Sequence, residues 1–398
     1  MSEITVVGGG IAGLVASIAC AEGGAPVRLL EAHDQLGGRG RSTDGPYAAN
    51  FGPHALYANG TLWRFLAERD LLPPVARPAL LAPVVFRVDG KRRRTLPPAV
   101  LRALPKLRGE VPDDVSFREW ATERASARAA ELLSHAAGVF TFDHDPGRLS
   151  AAFVWERFRQ AFLDLPPKAR FPRGGWSSVI ERLEAGARAA GVRIETGTPV
   201  TQLPSAPVIV ATELADARRL LSDETVRWEG TRTVSLDLGL QARRGDAYVL
   251  WDLDESGWVE RYSAMEKTLA PRGESLVQGQ IGLRPGEPVE DGERRLSALL
   301  DLGFKDWRER TTFRRRMLLD CRAGAVDLPG TSWRDRPAID RGDGVFLAGD
   351  MVAAPGLLSD PVVTSALEAT RGALTWAEGR IVVPGKDAGS VAYQRVGE

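Results

Sequence analysis

Gly8-Gly9-Gly10-Ile11-Ala12-Gly13 carries the spacing G-x-G-x-x-G, and Glu31 stands about 20 residues beyond it. Together they describe a grip on a dinucleotide. Gly8 permits a tight turn, Gly10 lets a pyrophosphate approach the backbone, and Gly13 lets the next helix lie close on its strand. The amides that open this helix, at Ile11 and Ala12, and its dipole would hold the phosphates. Glu31, with Ala32 after it, would accept hydrogen bonds from ribose hydroxyls, and its charge disfavours a 2′-phosphate. The elements that position these groups are legible on either side. Ile4–Val7 is a β-branched run of the kind a buried parallel strand needs. Ile11–Glu22 reads as a small apolar helix stopped by Gly23-Gly24, and Val27–Leu30 as the second strand. This is a complete βαβ unit, and on its own it leaves NAD and FAD both open.

Bulk properties narrow the class. The 398 residues are 43% hydrophobic and 26% charged, a globular composition long enough for two domains or one core with an inserted lobe. Lysine plus arginine number 52, as do aspartate plus glutamate, so no basic field argues for nucleic acid. Cys20 and Cys321 have no metal-type spacing and read as reduced, buried thiols, so no metal site is expected. The first strand begins by Ile4, which leaves no room for a signal or transit peptide, and no apolar run reaches spanning length. A cytoplasmic location is expected.

Further along, Thr61–Leu72 has helical periodicity and stops at Pro73-Pro74, and Val84–Thr95 reads as a hairpin turning at Asp89-Gly90. Pro97–Arg108 places Leu101, Leu104 and Leu107 on one side of a helix among Arg102, Lys106 and Arg108. With Lys91–Arg94 it makes a basic patch, either a solvated helix over the core or a peripheral membrane contact. Ser116–Gly138 and Leu149–Leu163 read as helices entered through Asp113-Asp114 and Asp145-Pro146, and Ser177–Ala190 as a third capped by Gly191. Val192–Thr196 and Val208–Thr212 read as strands. Thr231–Gly239, Ala247–Asp252, Trp258–Ala264 and Ser275–Gly282 alternate with a period of about two, as an antiparallel sheet does. A helix follows at Glu290–Leu302 and a strand at Arg314–Leu319. Gly344–Leu347 is a buried strand leading to Gly349-Asp350, and Asp360 reads as the N-cap of a helix over Pro361–Trp376.

Three motifs give the chain a family likeness: Glu31 followed by Leu36-Gly37-Gly38-Arg39, the stretch Ala49-Asn50-Phe51-Gly52-Pro53-His54-Ala55-Leu56-Tyr57, and the distant Gly349-Asp350. In these motifs and their order it resembles the flavin amine oxidase, protoporphyrinogen oxidase and phytoene desaturase superfamily, nearest the phytoene desaturase-like branch. The resemblance covers most of Met1–Tyr57, Phe171–Thr212 and Arg336–Leu374. It implies an α/β fold: a Rossmann-like FAD-binding domain in three segments (1–75, 171–230 and 331–398). An inserted α+β substrate lobe (76–170 and 231–330) would carry a mixed or antiparallel sheet. It also implies FAD rather than NAD. The cofactor would be non-covalent, since no lysine or cysteine matches the flavin-bridging or tethering residues of the amine oxidases.

The likeness assigns roles as well. Gly37, Gly38 and Arg39 would face the diphosphate, Val200 would pack on the adenine, and Gly349 and Asp350 would close the site beside the ribityl chain or diphosphate. Gly52, Pro53 and His54 belong to a loop beside the flavin ring. Leu358 precedes a helix, opened by Pro361 and Val362, whose positive end would face the flavin pyrimidine. His54 is the candidate base or cofactor partner, Tyr57 a catalytic candidate through ring packing, and Arg41 a candidate for polar atoms of substrate or flavin. Where family members carry glycine-alanine and serine-glycine pairs in that helix, this chain has Thr364-Ser365 and Glu368-Ala369. The expected activity is dehydrogenation of a mostly hydrophobic small molecule, such as an isoprenoid or secondary-metabolite intermediate, by hydride transfer to flavin N5. Oxygen or a quinone would be the final acceptor. Amine or porphyrinogen oxidation, isomerisation without net redox, and a non-catalytic FAD-stabilised binding protein are the alternatives.

Overall fold

Ile4–Val7 is buried at all four positions because the strand sits in the middle of a sheet covered on both faces. Its neighbours run parallel to it, in the spatial order Val345–Leu347, Val208–Val210, Ile4–Val7, Val27–Leu30, Arg193–Glu195. The five strands come from three separated stretches of chain. The computed structural model describes residues 1–52, 55–78, 84–160, 168–356, 358–383 and 392–395. The helix Ile11–Glu22 packs against Ser177–Ala189 and Asp360–Ala377. Small residues make that approach possible: Ala12, Gly13, Ala16 and Ser17 on one helix meet Ala366, Ala369 and Ala373 on another, all buried. Cys20 lies in this seam, donating to Thr370 Oγ1 at 3.6 Å, and burial pushes its thiol up to about 12. Cys321, expected to be buried, is exposed.

A second sheet holds seven strands in the order Thr311–Ala325, Gly230–Gln241, Glu274–Gly282, Trp258–Glu260, Val249–Asp252, Val84–Val88, Lys91–Arg93. Its pairings are antiparallel except one: Val84–Val88 runs parallel to Val249–Asp252, so the sheet is mixed. The hairpin turns at Asp89 and Gly90, both at positive φ (52° and 69°), the geometry of a type I′ turn. The helix Val289–Gly303 buries Leu296, Leu299 and Leu300 against Val234, Leu236 and Leu238. A separate helical cluster packs around Phe117, Trp120, Leu133 and Val154.

Local chemistry redraws several expected boundaries. The stretch 116–138 is not one helix. It divides into Phe117–Arg124 and Ala127–Ala136, each with its own serine cap: Ser116, in a capping box with Glu119, and Ser126, which accepts from Ala129 N. Ser150 likewise caps Ala151–Phe158, while Asp145-Pro146 opens only a short 3₁₀ turn. In the Pro98–Ala103 helix and the turn after it, Val100, Ala103 and Leu107 form the buried side, and Leu101 is 53% exposed. The expected Leu101–Leu104–Leu107 stripe is therefore not the packed face. Trp258–Glu260 ends earlier than expected, in a 3₁₀ turn at Tyr262–Ala264. No helix among the described residues is long and apolar enough to cross a membrane.

Candidate functional site

A cavity of about 930 Å³ opens at the carboxyl ends of the parallel strands, beyond Val7, Leu30, Ala211 and Ala348. Ligands of open α/β sheets bind in this crevice. From there the cavity continues to the second sheet, at Trp258, Glu260, Tyr262 and Gln280, and to the helical cluster, at Val139–Phe142 and Arg157.

At the strand end the three glycines have three different surroundings. A Cβ built on Gly13 would stand 1.8 Å from the Gly8 carbonyl oxygen, so only glycine lets the helix cross here. Gly8 has φ of +106°, and its Cβ would meet Ala211 O at 2.5 Å. A Cβ on Gly10, by contrast, would meet no protein atom within 4 Å. The same holds for Gly349 across the cavity. These two glycines therefore leave room beside exposed backbone, which is what a pyrophosphate needs. Glu31 is 7% exposed, and its carboxylate is held from both sides: Oε2 accepts from Gly9 N at 2.6 Å and Oε1 from His33 N at 2.9 Å. Each oxygen keeps a further lone pair for a ribose hydroxyl.

Arg39 does not stand as a free cation. Its guanidinium grips Asp350 bidentately, at 2.7 and 2.9 Å, and donates to Arg322 O at 2.7 Å. Burial would raise the Asp350 carboxyl, but Arg39 outweighs it and holds it below the usual range. The pair offers a diphosphate or ribityl chain directed hydrogen bonds rather than net charge. Behind it, Ser365 in the helix Asp360–Ala377 accepts from Gly349 N at 2.9 Å and donates back to the same residue's carbonyl at 3.1 Å. Ser365, in one of the pairs that depart from the family pattern, thus ties the Gly349-Asp350 turn to the helix.

Asp360 has a different task from the one expected. The N-cap position belongs to Ser359, without a side-chain bond, and Asp360 is the first helical residue. Its Oδ1 instead accepts from Thr61 N at 2.7 Å and Thr61 Oγ1 at 2.9 Å. It caps a second helix, Thr61–Ala67, whose own N-cap is Gly60. Asp360→Ala is expected to cost about 1–2 kcal/mol in urea denaturation, and Asp360→Asn, which keeps an acceptor, less than half of that. Equal losses in both variants would refute the capping role. Just before this helix Leu358 lines the cavity at φ 55°, a left-handed conformation unusual for leucine.

The far end of the cavity is built around Glu260. Tyr248 donates to its Oε1 at 3.1 Å, and the Tyr262 hydroxyl donates to it as well. Burial raises the Glu260 carboxyl to about 7, the two tyrosine bonds lowering it only in part. Tyr57 also lines the cavity, its hydroxyl pushed up to about 12 by burial and by Glu260. Trp258 stands edge-on to Tyr262 at 6.5 Å. A carboxyl poised near neutrality in a cleft is the ordinary signature of a proton-transfer group. Sequence reasoning missed Glu260, since a glutamate at the end of a strand carries no local mark.

The loop before Pro53 is fixed from the lobe. Asn50 Oδ1 accepts from Ser42 Oγ at 2.7 Å and Trp176 N at 3.1 Å. Arg315, paired with the fully buried Asp237, donates to Asn50 O at 2.9 Å and lies 4.3 Å from the Phe51 ring centre. Of the residues singled out from sequence, Gly8, Gly10, Ile11, Ala12, Glu31, Ala32, Gly37, Gly38, Arg39, Gly52, Tyr57, Val200, Gly349, Asp350, Leu358, Pro361 and Val362 all line the one cavity. Gly13 lies behind its wall, at the strand–helix crossing. Arg41 is not among the lining residues; it bonds Gln35 Oε1 at 2.9 Å and faces Phe51. Pro53 and His54 lie outside the described residues.

These features define a Rossmann-like dinucleotide-binding fold joined to a mixed-sheet lobe. Residues 6–69 match the family model of the NAD(P)-binding Rossmann-like domain. Among solved structures, the chain is similar to an oxidoreductase from Methanosarcina mazei, with TM-score 0.73 and 16% identity over 93% of this chain and 100% of that one. It is also similar to cyclohexylamine oxidase from Brevibacterium oxydans, with TM-score 0.70 and 16% identity over 94% and 99% of the two chains. A third likeness is to reduced UDP-galactopyranose mutase, with TM-score 0.71 and 13% identity over 94% and 96%. At such identities the shared property is the fold. No curated protein sequence matches the chain closely enough to argue from.

Proposed function

We propose that the chain is an FAD-dependent oxidoreductase that dehydrogenates a mostly hydrophobic small molecule, nearest in kind to the phytoene desaturase-like branch. The observation that carries this reading is the continuity of one cavity. It joins the Gly10 turn and Glu31, which suit an adenosine diphosphate, to an aromatic chamber holding Tyr57, Trp258 and Glu260. At about 930 Å³ it is at the upper end of ordinary ligand sites. The cofactor is held without a covalent bond, by Gly10, Glu31, the Arg39–Asp350 pair and the turn that Ser365 secures. When bound, FAD supplies a two-electron acceptor, with oxygen or a quinone as the final oxidant. The three-segment division of the cofactor domain, with lobe segments 76–170 and 231–330, is part of this reading.

The chain's own residues then do the rest. Phe140, Phe142 and Trp258 give the substrate chamber apolar walls that exclude water. Glu260 takes or returns a proton at its carboxyl group, with Tyr248 and Tyr262 orienting it. A second reading, isomerisation without net redox, draws on the likeness to the mutase.

Purified protein is expected to be yellow, to bind FAD, and to melt at a higher temperature with it. If added FAD neither binds nor shifts the melting point, the cofactor assignment fails. A panel of hydrophobic substrates that bleaches the flavin without oxygen supports dehydrogenation. Turnover seen only after chemical reduction of the flavin would move the assignment to the isomerase.

A further inference from the structure

Five of the described arginines line the cavity, and four of them are paired: Arg39 with Asp350, Arg219 with Asp216, Arg322 with Glu213 and Arg336 with Asp327. The fifth is Arg157. It is 8% exposed, and among the described residues its hydrogen bonding is limited to one bond, from Nη1 to Phe153 O at 3.2 Å. Its guanidinium lies 3.4 Å from the Phe153 ring centre, a contact that holds it in place, and Arg157 lines the cavity. No carboxylate of the described residues pairs with it. The acid that acts on it most strongly, Asp327, is already engaged by Arg336 through three hydrogen bonds.

We propose that Arg157 recognises a carboxylate on the substrate, which is then an organic acid with an apolar body. Charge counting favours a single negative charge. The buried groups Arg157, Arg336 and Asp327 together carry one net positive charge, and Glu156, which also acts on Arg157, is exposed to solvent that screens it; a carboxylate balances the buried charge and a phosphate dianion would overshoot. The shape of the group agrees, because a planar guanidinium carries parallel N–H groups that match the two oxygens of a carboxylate. Burial pushes the Arg157 pKa down, with Asp327 and, more weakly, Glu156 opposing and Arg336 adding to the effect. A guanidinium does not shed its proton in a protein, so that strain is relieved by an anion. Val139, Phe140 and Phe142 beside it supply the surface for the apolar body.

The inference rests on the proposed function for what fills the rest of the cavity, and its test is separable from that reading. The FAD-loaded protein is titrated with 4-phenylbutyrate and with its amide, 4-phenylbutyramide, following flavin absorbance and melting temperature. The carboxylate is expected to bind about tenfold to a hundredfold more tightly. In Arg157→Gln the two probes are expected to bind within twofold of each other, with FAD affinity unchanged. Arg157→Lys, which keeps the charge and loses the fork, should discriminate at least threefold less than the parent. It decides the question should the glutamine variant fail to fold. Equal binding of the two probes to the parent would overturn the proposal, as would unaltered discrimination in the variants. A loss of FAD affinity matching the loss of carboxylate affinity would assign Arg157 to the cofactor and overturn it too. A preference for phenyl phosphate over the carboxylate would refute the substrate class. If the protein binds no FAD, the cofactor reading fails by itself, while the melting-temperature comparison of the two probes still reads Arg157.

Discussion

Gly10→Val is expected to abolish FAD binding while leaving the fold intact. A side chain at Gly10 meets no protein atom within 4 Å, and its backbone, at φ −75° and ψ −174°, is extended and open to any residue. The valine methyls would occupy the space kept for the diphosphate. Losing two charge-assisted hydrogen bonds from the turn removes about 3 kcal/mol or more, so FAD affinity should fall at least about a hundredfold. The control is Gly13→Val, whose Cβ would collide with the Gly8 carbonyl at 1.8 Å. That variant should lose its folded circular dichroism, whereas Gly10→Val should keep it and melt like the parent without FAD. Gly10→Val binding FAD within threefold of the parent would mean that the turn is not the cofactor's cradle.

Glu260→Gln should slow flavin reduction by about a hundredfold and remove a pH inflection near neutrality, since proton transfer by a positioned group contributes on this scale. The amide still accepts from Tyr248 and Tyr262 and keeps the shape, but it cannot carry the proton. Its effect on stability has a definite sign. Burial raises the Glu260 carboxyl from 4.5 to about 7, so folding favours the protonated form. That contribution is fully present below pH 4.5 and is lost as the pH rises through 7, with an upper bound of about 3 kcal/mol. The parent should therefore lose stability between pH 5 and pH 8 relative to Glu260→Gln, measured by urea denaturation at each pH. Parallel curves for the two proteins, together with an unchanged reduction profile, would remove Glu260 from the proton path.

The site divides sharply in how far it could be read from sequence. The adenosine end was legible because its determinants are local. A glycine turn, a β-branched strand before it, a small-residue helix after it and an acid one strand later all fall within residues 4–31. Most helices and strands elsewhere were recovered in type, since hydrophobic periodicity reports which face is buried, but the helix Leu214–Leu221 and the strand Ala169–Pro172 were not. Their ends were less secure. Ser126 and Ser150 each capped a helix through a single side-chain bond, and such a serine has no mark in sequence that separates a cap from an ordinary loop residue. Asp360 shows the same limit in another form: it had every feature of an N-cap and caps a different helix, because Thr61 is its neighbour in space.

By itself, the amino-acid sequence determined that this protein has a Rossmann-like dinucleotide turn and which residues form it. Spacing and periodicity suffice for this, being properties of neighbouring residues. Only the tertiary structure decided how charges are shared. Arg39 became half of an ion pair with Asp350, Arg315 came to hold the Asn50 loop through the lobe, Glu260 came to be buried between two tyrosines, and Arg157 was left as the unpaired cation among the described arginines lining the cavity. Burial and long-range pairing set the energy of a charge, and neither is a property of the residues beside it in the chain.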